Sequence, residues 1–214
     1  MKVLELFAGS RSFSKVAEEM GMKTFTSDFK PFDKIDYVVD ILDFDVSKVP
    51  FKPDVIWASP PCQAFSVMTI GRNWNYDNTP KSEKAKQSIK IVQKTLDIIN
   101  FLKPDFYFIE NPRGKLRKLD VVKDIPRTTV TYCQYGEKRM KPTDIWSNFI
   151  LKENSLLSED NKLQGWKPRP MCKNGMPCHE ASPRGTTSGT QALKNPYERS
   201  KIPYELCKEI LKSL

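Results

Sequence analysis

Cys62 lies in the run Ser59-Pro60-Pro61-Cys62-Gln63-Ala64-Phe65-Ser66, directly after the apolar stretch Asp54-Val55-Ile56-Trp57-Ala58. A cysteine is a strong nucleophile once its thiol is deprotonated. The apolar stretch reads as a buried strand, and it ends at two prolines, which have no N–H to donate. Cys62 is thereby delivered to the carboxyl edge of a strand, where open α/β sheets bind ligands. Taken alone, a cysteine is more often a small buried hydrophobe than a nucleophile. Three further groups reach the same edge. Phe7-Ala8-Gly9-Ser10 joins a first strand to its helix, where small residues admit a ligand and a helix N-terminus favours negative charge. Asp28 closes a second strand, where a carboxylate either accepts from ribose hydroxyls or caps a loop. Glu110-Asn111-Pro112 ends a strand that begins near Asp105. A charged residue there can be a plain strand terminus, and beside a nucleophile it is a candidate acid or hydrogen-bond acceptor.

The elements that must position these groups alternate. Val3–Phe7, Lys23–Ser27, Asp36–Ile41, Asp54–Ala58 and Asp105–Ile109 have the apolar character of strands. Between them, residues 12–20 place Phe13, Val16, Ala17 and Met20 at helical spacing. Residues 83–102 do the same with Ala85, Ile89, Val92, Leu96, Ile99 and Leu102. Such alternation predicts an α/β fold, a mostly parallel sheet with helices on both faces. Beyond Arg127 the pattern changes to two strands, 128–132 and 144–150, for which an antiparallel pairing is the expectation. A stretch over 153–197 rich in Pro, Gly, Ser, Thr, Asn and Lys predicts irregular structure, and a final helix spans 203–214.

The chain has 214 residues, 29% of them charged and 39% hydrophobic, which fits one globular domain. No apolar run approaches 18 residues, so no membrane helix is expected. The N-terminal sequence lacks the features of a signal peptide, and five cysteines suit a reducing compartment. The expected location is the cytoplasm. The net charge is +9, and two thirds of it falls between Pro112 and Pro142, where nine basic residues face three acidic ones. A polyanion partner and a solvated basic surface both account for that tract.

In order, Phe7-Ala8-Gly9-Ser10, Pro60-Pro61-Cys62-Gln63-Ala64-Phe65-Ser66 and Glu110-Asn111-Pro112 resemble the DNA cytosine-5 methyltransferases. The resemblance covers residues 1 to about 112, and more loosely 135–141 and 202–214. It implies a Rossmann-like S-adenosylmethionine-dependent fold. It also implies methyl transfer to C5 of cytosine in DNA through a Cys62 adduct at C6, with the base flipped from the duplex. Glu110 would contact N3 and the exocyclic amine. Phe7, Ala8, Gly9 and Ser10 would line the methionine side of the cofactor. Asp28 would take the ribose, Asp40 the adenine amine, with Asp43 and Asp45 as alternatives, and Pro60 would lie near the cofactor. Residues 67–81 would form a loop closing over the target, with Arg72, Asn73, Trp74, Asn75 and Tyr76 suited to phosphate and base contacts. The family's Gln-x-Arg-x-Arg motif is degenerate here, Glu137-Lys138-Arg139-Met140-Lys141, and Arg139 is assigned to the catalytic set with Lys141 in a similar role.

Two departures bear on function. Ser10-Arg11-Ser12-Phe13 replaces the usual glycine-rich continuation, so Arg11 either alters the cofactor contacts or faces solvent. The segment after the degenerate motif is short for a target-recognition domain. The expected organisation is a catalytic and cofactor core over 1–150, a reduced recognition insertion over 151–197 and a returning helix over 198–214. This suggests a prokaryotic or viral enzyme, for example from phage or restriction–modification, with a short or relaxed target or a dependence on a partner. An RNA substrate such as a tRNA loop is the alternative, and a non-catalytic nucleic-acid module on the same fold is another. Cys133, Cys172, Cys178 and His179 are zinc-ligand types, but the wide Cys172-to-Cys178 spacing and the adjacent Cys178-His179 pair are unusual. No metal is assigned from the sequence.

Overall fold

The structure, a computed structural model, describes residues 1–150, 165–173, 176–180 and 195–214. Seven strands form one sheet in the order β3-β2-β1-β4-β5-β7-β6. They are β1 Lys2–Leu6, β2 Lys23–Asp28, β3 Tyr37–Val38, β4 Val55–Ala58, β5 Phe106–Pro112, β6 Arg127–Thr131 and β7 Pro142–Ser147. The first five run parallel, and β7 is inserted antiparallel between β5 and β6. The helices are α1 Ser12–Glu19, α2 Ile70–Asn73, α3 Glu83–Leu102, α4 Pro196–Ser200 and α5 Tyr204–Ser213.

Parallel strands buried on both faces need apolar residues at alternate and at successive positions alike. β1 shows this: Val3 faces a cluster with Phe13, Trp57, Phe108, Leu206 and Ile210, while Leu4 and Leu6 face Ile56, Val92, Ile99 and Ile109. α1 and α5 thus cover one face and α3 the other. Trp57 stacks on Phe13 with ring centroids 4.5 Å apart. α3 starts where Ser82 Oγ accepts from the Ala85 N–H at 3.1 Å and stops at Lys103, which is left-handed at φ 46° ahead of Pro104.

The third strand is shorter than expected. Its pairing ends at Val38, because Asp40 uses its carboxylate to accept from the Leu42 N–H at 3.0 Å and starts a one-turn 3-10 helix, Ile41–Asp43. The short helix α4 lies across the boundary drawn at residue 198, beginning where Asn195 accepts from the Tyr197 N–H. The insertion expected over 151–197 lies largely outside the described residues. Of it, 165–173 docks on the core: Trp166 is buried, and Arg169 Nε donates to Glu209 Oε2 of α5 at 2.7 Å.

The basic tract is less free than its composition suggests. Arg117 and Arg127 both donate to Asp144, which is fully buried in β7. Lys115 is buried and donates to Asn78 Oδ1 at 2.7 Å. Arg139 donates to Glu137 at 2.7 Å. These pairs spend much of the tract's charge inside the fold.

Glu5 of β1 is buried, and its carboxylate accepts from the Phe13 and Ser14 N–H groups at 3.3 and 2.8 Å, holding the first turn of α1. Burial outweighs those donors and pushes its carboxyl up to about 7. A carboxyl raised in the folded state stabilises below its unfolded value near 4.5, and that stability is lost as pH climbs through 7. Glu5→Gln is expected to flatten this dependence, which amounts to roughly 3 kcal/mol across the window. Urea unfolding at pH 5 and pH 8 checks it: equal losses in wild type and variant would refute the assignment.

Candidate active site

The carboxyl ends of β1, β2, β4 and β5 meet at one edge. Phe7, Gly9 and Arg11 all have positive φ, at 58°, 42° and 54°, so the chain leaves β1 through alternating left-handed residues. A left-handed Phe is uncommon and costs strain, which clusters at functional sites. The loop is held by Asp28: its Oδ2 accepts from the Gly9 N–H at 3.0 Å and its Oδ1 from the Lys30 N–H at 2.9 Å. Burial raises the Asp28 carboxyl from its ordinary value against these donors. Ala8 is buried, with its N–H on the Ser27 carbonyl.

A cavity of about 170 Å³ opens beside this loop, lined by Phe7, Asp28, Phe29, Asp40, Ile41 and Pro61 among others. Phe29 is largely exposed at its rim. Apolar walls, an open aromatic and two carboxylates fit a nucleoside, the adenosyl part of S-adenosylmethionine included. Asp40 belongs to this cavity, whereas Asp45 caps the next 3-10 turn and is fully exposed. Gly9 and Ser10 line a neighbouring cavity of about 310 Å³ with Phe32 and Tyr197. Pro61, not Pro60, lines the adenosyl-sized cavity; the Pro60 carbonyl instead accepts from Asn111 Nδ2 at 2.8 Å. Arg11 does not face solvent: it is buried, pairs with Glu18, and lines the same neighbouring cavity as Gly9 and Ser10.

Cys62 follows β4 on a loop that is pinned from two sides. Asn111 of β5 holds Pro60, and the Phe65 carbonyl accepts from the Lys115 N–H at 2.7 Å. The second pin explains Gly114: a Cβ there would stand 2.3 Å from the Phe65 oxygen. Its φ of −169° is ordinary extended backbone, so the requirement is one of space. Gly114→Ala is expected to push the Cys62 loop away, costing about 1–3 kcal/mol of stability and about 100-fold in turnover. Thermal unfolding and steady-state kinetics at a temperature where both forms stay folded would check it. Unchanged turnover would show that the loop tolerates the shift.

Glu110, also of β5, is buried and lies near Cys62. Tyr132 donates its hydroxyl to Glu110 Oε1 at 2.9 Å, and Lys141 Nζ stands 4.0 Å from the same oxygen. Lys141 also sits 4.4 Å from the Tyr132 ring centre and donates to the Arg199 carbonyl at 3.1 Å. Burial pushes the Cys62 thiol up, the Glu110 charge adds to that, and Lys141 and Arg199 pull the other way. Burial lowers Lys141, with Glu110 and Cys62 opposing. The cation beside Glu110 is therefore Lys141. Arg139, two residues earlier, has its guanidinium on Glu137. Sequence reasoning did not pick out Tyr132, because a Tyr at a strand end is usually packing; its only signal was its place as the last residue of the strand expected over 128–132.

The loop expected to close over a target is partly built in. Trp74 is buried, with Nε1 donating to the Ala64 carbonyl at 2.8 Å, and Asn73 is buried beside it. These two brace the Cys62 loop and are not free for bases. Val67, Met68 and Tyr76 are strongly exposed in the same stretch.

The model of the C-5 cytosine-specific DNA methylase family matches residues 1–126, more than half of the chain. The chain belongs to that family. A Frog virus 3 (isolate Goorha) protein described as a probable DNA (cytosine-5)-methyltransferase is 31% identical over 156 residues, 69% of this chain and 71% of its own length. The Entamoeba histolytica methyltransferase EhMeth has a similar fold, with a TM-score of 0.53 at 15% identity over 73% of this chain. The match spans 55% of the EhMeth chain. The family's chemistry is methyl transfer to C5 of cytosine in DNA. Among the described residues, no helix is long and apolar enough to cross a membrane.

Proposed function

We propose that this chain methylates cytosine C5 in DNA with Cys62 as nucleophile and Glu110 as the group that holds the base. The observation that carries the reading is the convergence of Cys62, Glu110, Tyr132 and Lys141 at one sheet edge, next to the cavity lined by Phe7, Asp28, Asp40 and Pro61. Cytosine C5 is a poor nucleophile. Addition of the Cys62 thiolate at C6 forms an S–C6 bond and pushes the C5–C6 electron pair toward C5. Phe7, Gly9, Asp28 and Asp40 would hold S-adenosylmethionine, which would supply the methyl group that C5 takes as the S–CH3 bond breaks, leaving S-adenosylhomocysteine. Loss of the C5 proton to a base then re-forms the C5–C6 double bond as the S–C6 bond breaks and expels Cys62 as thiolate.

The chain's own contributions are electrostatic. Glu110, oriented by Tyr132 and Lys141, accepts from the cytosine amine and holds N3 in its protonated form while density builds on the ring. Lys141 offsets the negative charge that Glu110 and a Cys62 thiolate place together. At rest the thiol is held protonated by burial and Glu110. Arrival of a base that engages Glu110 relieves that field, which couples thiolate formation to substrate. A base stacked in a duplex cannot present its ring to Cys62 and Glu110 together, so the cytosine would enter flipped. Asp28 and Asp40 would take the ribose and adenine, and residues 151–197 would contribute to choosing the target.

Covalent trapping tests the reading. Duplex DNA carrying 5-fluorocytosine at its target, with S-adenosylmethionine, is expected to give a denaturation-resistant adduct to Cys62. The Cys62→Ser form should give none. Adducts with RNA and not DNA would move the substrate to RNA, and the absence of any adduct on either would overturn the catalytic reading.

A further inference from the structure

We propose that Cys133, Cys172, Cys178 and His179 form a structural zinc site. Cys133 lies in the 3-10 turn Tyr132–Tyr135, and the other three lie more than thirty-five residues later in the chain. The fold brings one ligand atom from each within 4.8 Å of the others. Sγ of Cys172 is 3.0 Å from Sγ of Cys178 and 3.4 Å from Nδ1 of His179. Sγ of Cys178 is 3.8 Å from Sγ of Cys133 and 3.6 Å from the His179 nitrogen. A tetrahedral zinc with ordinary bond lengths puts sulfur about 3.8 Å from sulfur and about 3.6 Å from nitrogen. The cluster is therefore close to the size of a zinc coordination shell, closed at the Cys172–Cys178 edge and spreading to 4.8 Å at its widest.

Three observations separate this from a chance meeting of thiols. Four donors converge, and three thiolates with one imidazole are a closed structural set with no position left for water. Polar groups orient the donors: the Cys172 N–H donates to Thr131 Oγ1 at 2.8 Å in a buried contact, and Gln134 Nε2 donates to Cys178 Sγ at 3.4 Å. The apolar side chains nearest the ligands add little packing of their own, since Met171 and Met176 stay exposed. Binding would displace three thiol protons to solvent, and the binding free energy would then hold the segment in place.

The location gives the site a role. Cys133 directly follows Tyr132, whose hydroxyl donates to Glu110. The metal thus ties residues 172–179 to the turn that orients the catalytic carboxylate, and Arg169 adds a second tie through the Tyr135 hydroxyl and the Gln134 carbonyl. The zinc is a clamp and takes no part in the methyl transfer.

The full chain, expressed with supplemented zinc and purified under reducing conditions, is expected to carry one zinc per chain by elemental analysis. Cobalt exchanged into it should show thiolate-to-cobalt charge transfer and the visible bands of a tetrahedral site. Cys178→Ser and His179→Ala, whose side chains are the less buried of the set, should weaken zinc binding at least about 100-fold in a chelator competition. Cys62→Ser and Cys207→Ser should keep the full zinc content, which separates this site from the nucleophile. A folded, reduced wild-type chain with far less than one zinc overturns the proposal. So does an intact-mass and peptide map showing a Cys172–Cys178 disulfide, or a Cys178→Ser form that retains the cobalt spectrum.

Discussion

Cys62→Ser is expected to lower methyl transfer by about 10 000-fold while leaving S-adenosylmethionine binding within a few-fold of wild type. The separation follows from position. Cys62 is carried past the prolines toward Glu110, whereas the cavity proposed for the nucleoside is lined by Phe7, Asp28, Phe29, Asp40 and Pro61. A serine hydroxyl keeps the shape and loses the nucleophile, since its alkoxide is not available at neutral pH. Transfer of a labelled methyl group to duplex DNA measures the first effect, and calorimetric titration of the cofactor measures the second. A large loss of cofactor affinity would mean that Cys62 supports the binding site and not the chemistry.

Glu110→Gln should act in two opposite directions. Methyl transfer should fall about 100- to 10 000-fold, because an amide holds N3 and the amine poorly and places no negative charge beside the protonated ring. The reactivity of Cys62 toward iodoacetamide should rise at neutral pH. Burial and the Glu110 charge both hold that thiol above its ordinary value, and removing the charge lowers it, so more thiolate is present. Lys141→Met should move the alkylation rate the other way, since Lys141 is the cation that favours the thiolate. Peptide mass spectrometry must follow Cys62 itself, because the chain has five cysteines. If Glu110→Gln slowed both alkylation and methylation, the carboxylate would be holding the loop and not setting its electrostatics.

Much of the architecture could be read from the residues because local and global signals agree. Residues 83–102 have a capping serine, a helical apolar face and a proline just beyond their end, and they form one helix with those bounds. Strand patterns over 54–58 and 105–109 place Cys62 and Glu110 at the same edge, since parallel strands share a carboxyl end. What the sequence hides is which of two neighbours is turned inward. Arg139 and Lys141 are both basic and two apart, yet one pairs with Glu137 and the other faces Glu110. Pro60 and Pro61 differ in the same way. Trp74 looked suited to stacking on a base until Ala64 supplied a buried acceptor for its indole. The four zinc-ligand types are scattered over nearly fifty residues, and only tertiary packing brings them together.

The antiparallel insertion of β7 has a consequence for how such a chain can change. The ten residues 132–141 leave β6 at Tyr132 and enter β7 after Lys141, and both ends touch the same Glu110 oxygen. The stretch is a closed span with its two abutments on one carboxylate. Adding or removing a residue within it shifts one abutment against the other and turns the wrong side chain toward Glu110. Substitutions at its crown leave both abutments seated. Divergence should therefore be free in spelling only away from Tyr132, Cys133 and Lys141, and fixed in length across all ten positions, and insertions that retune the target should fall outside them.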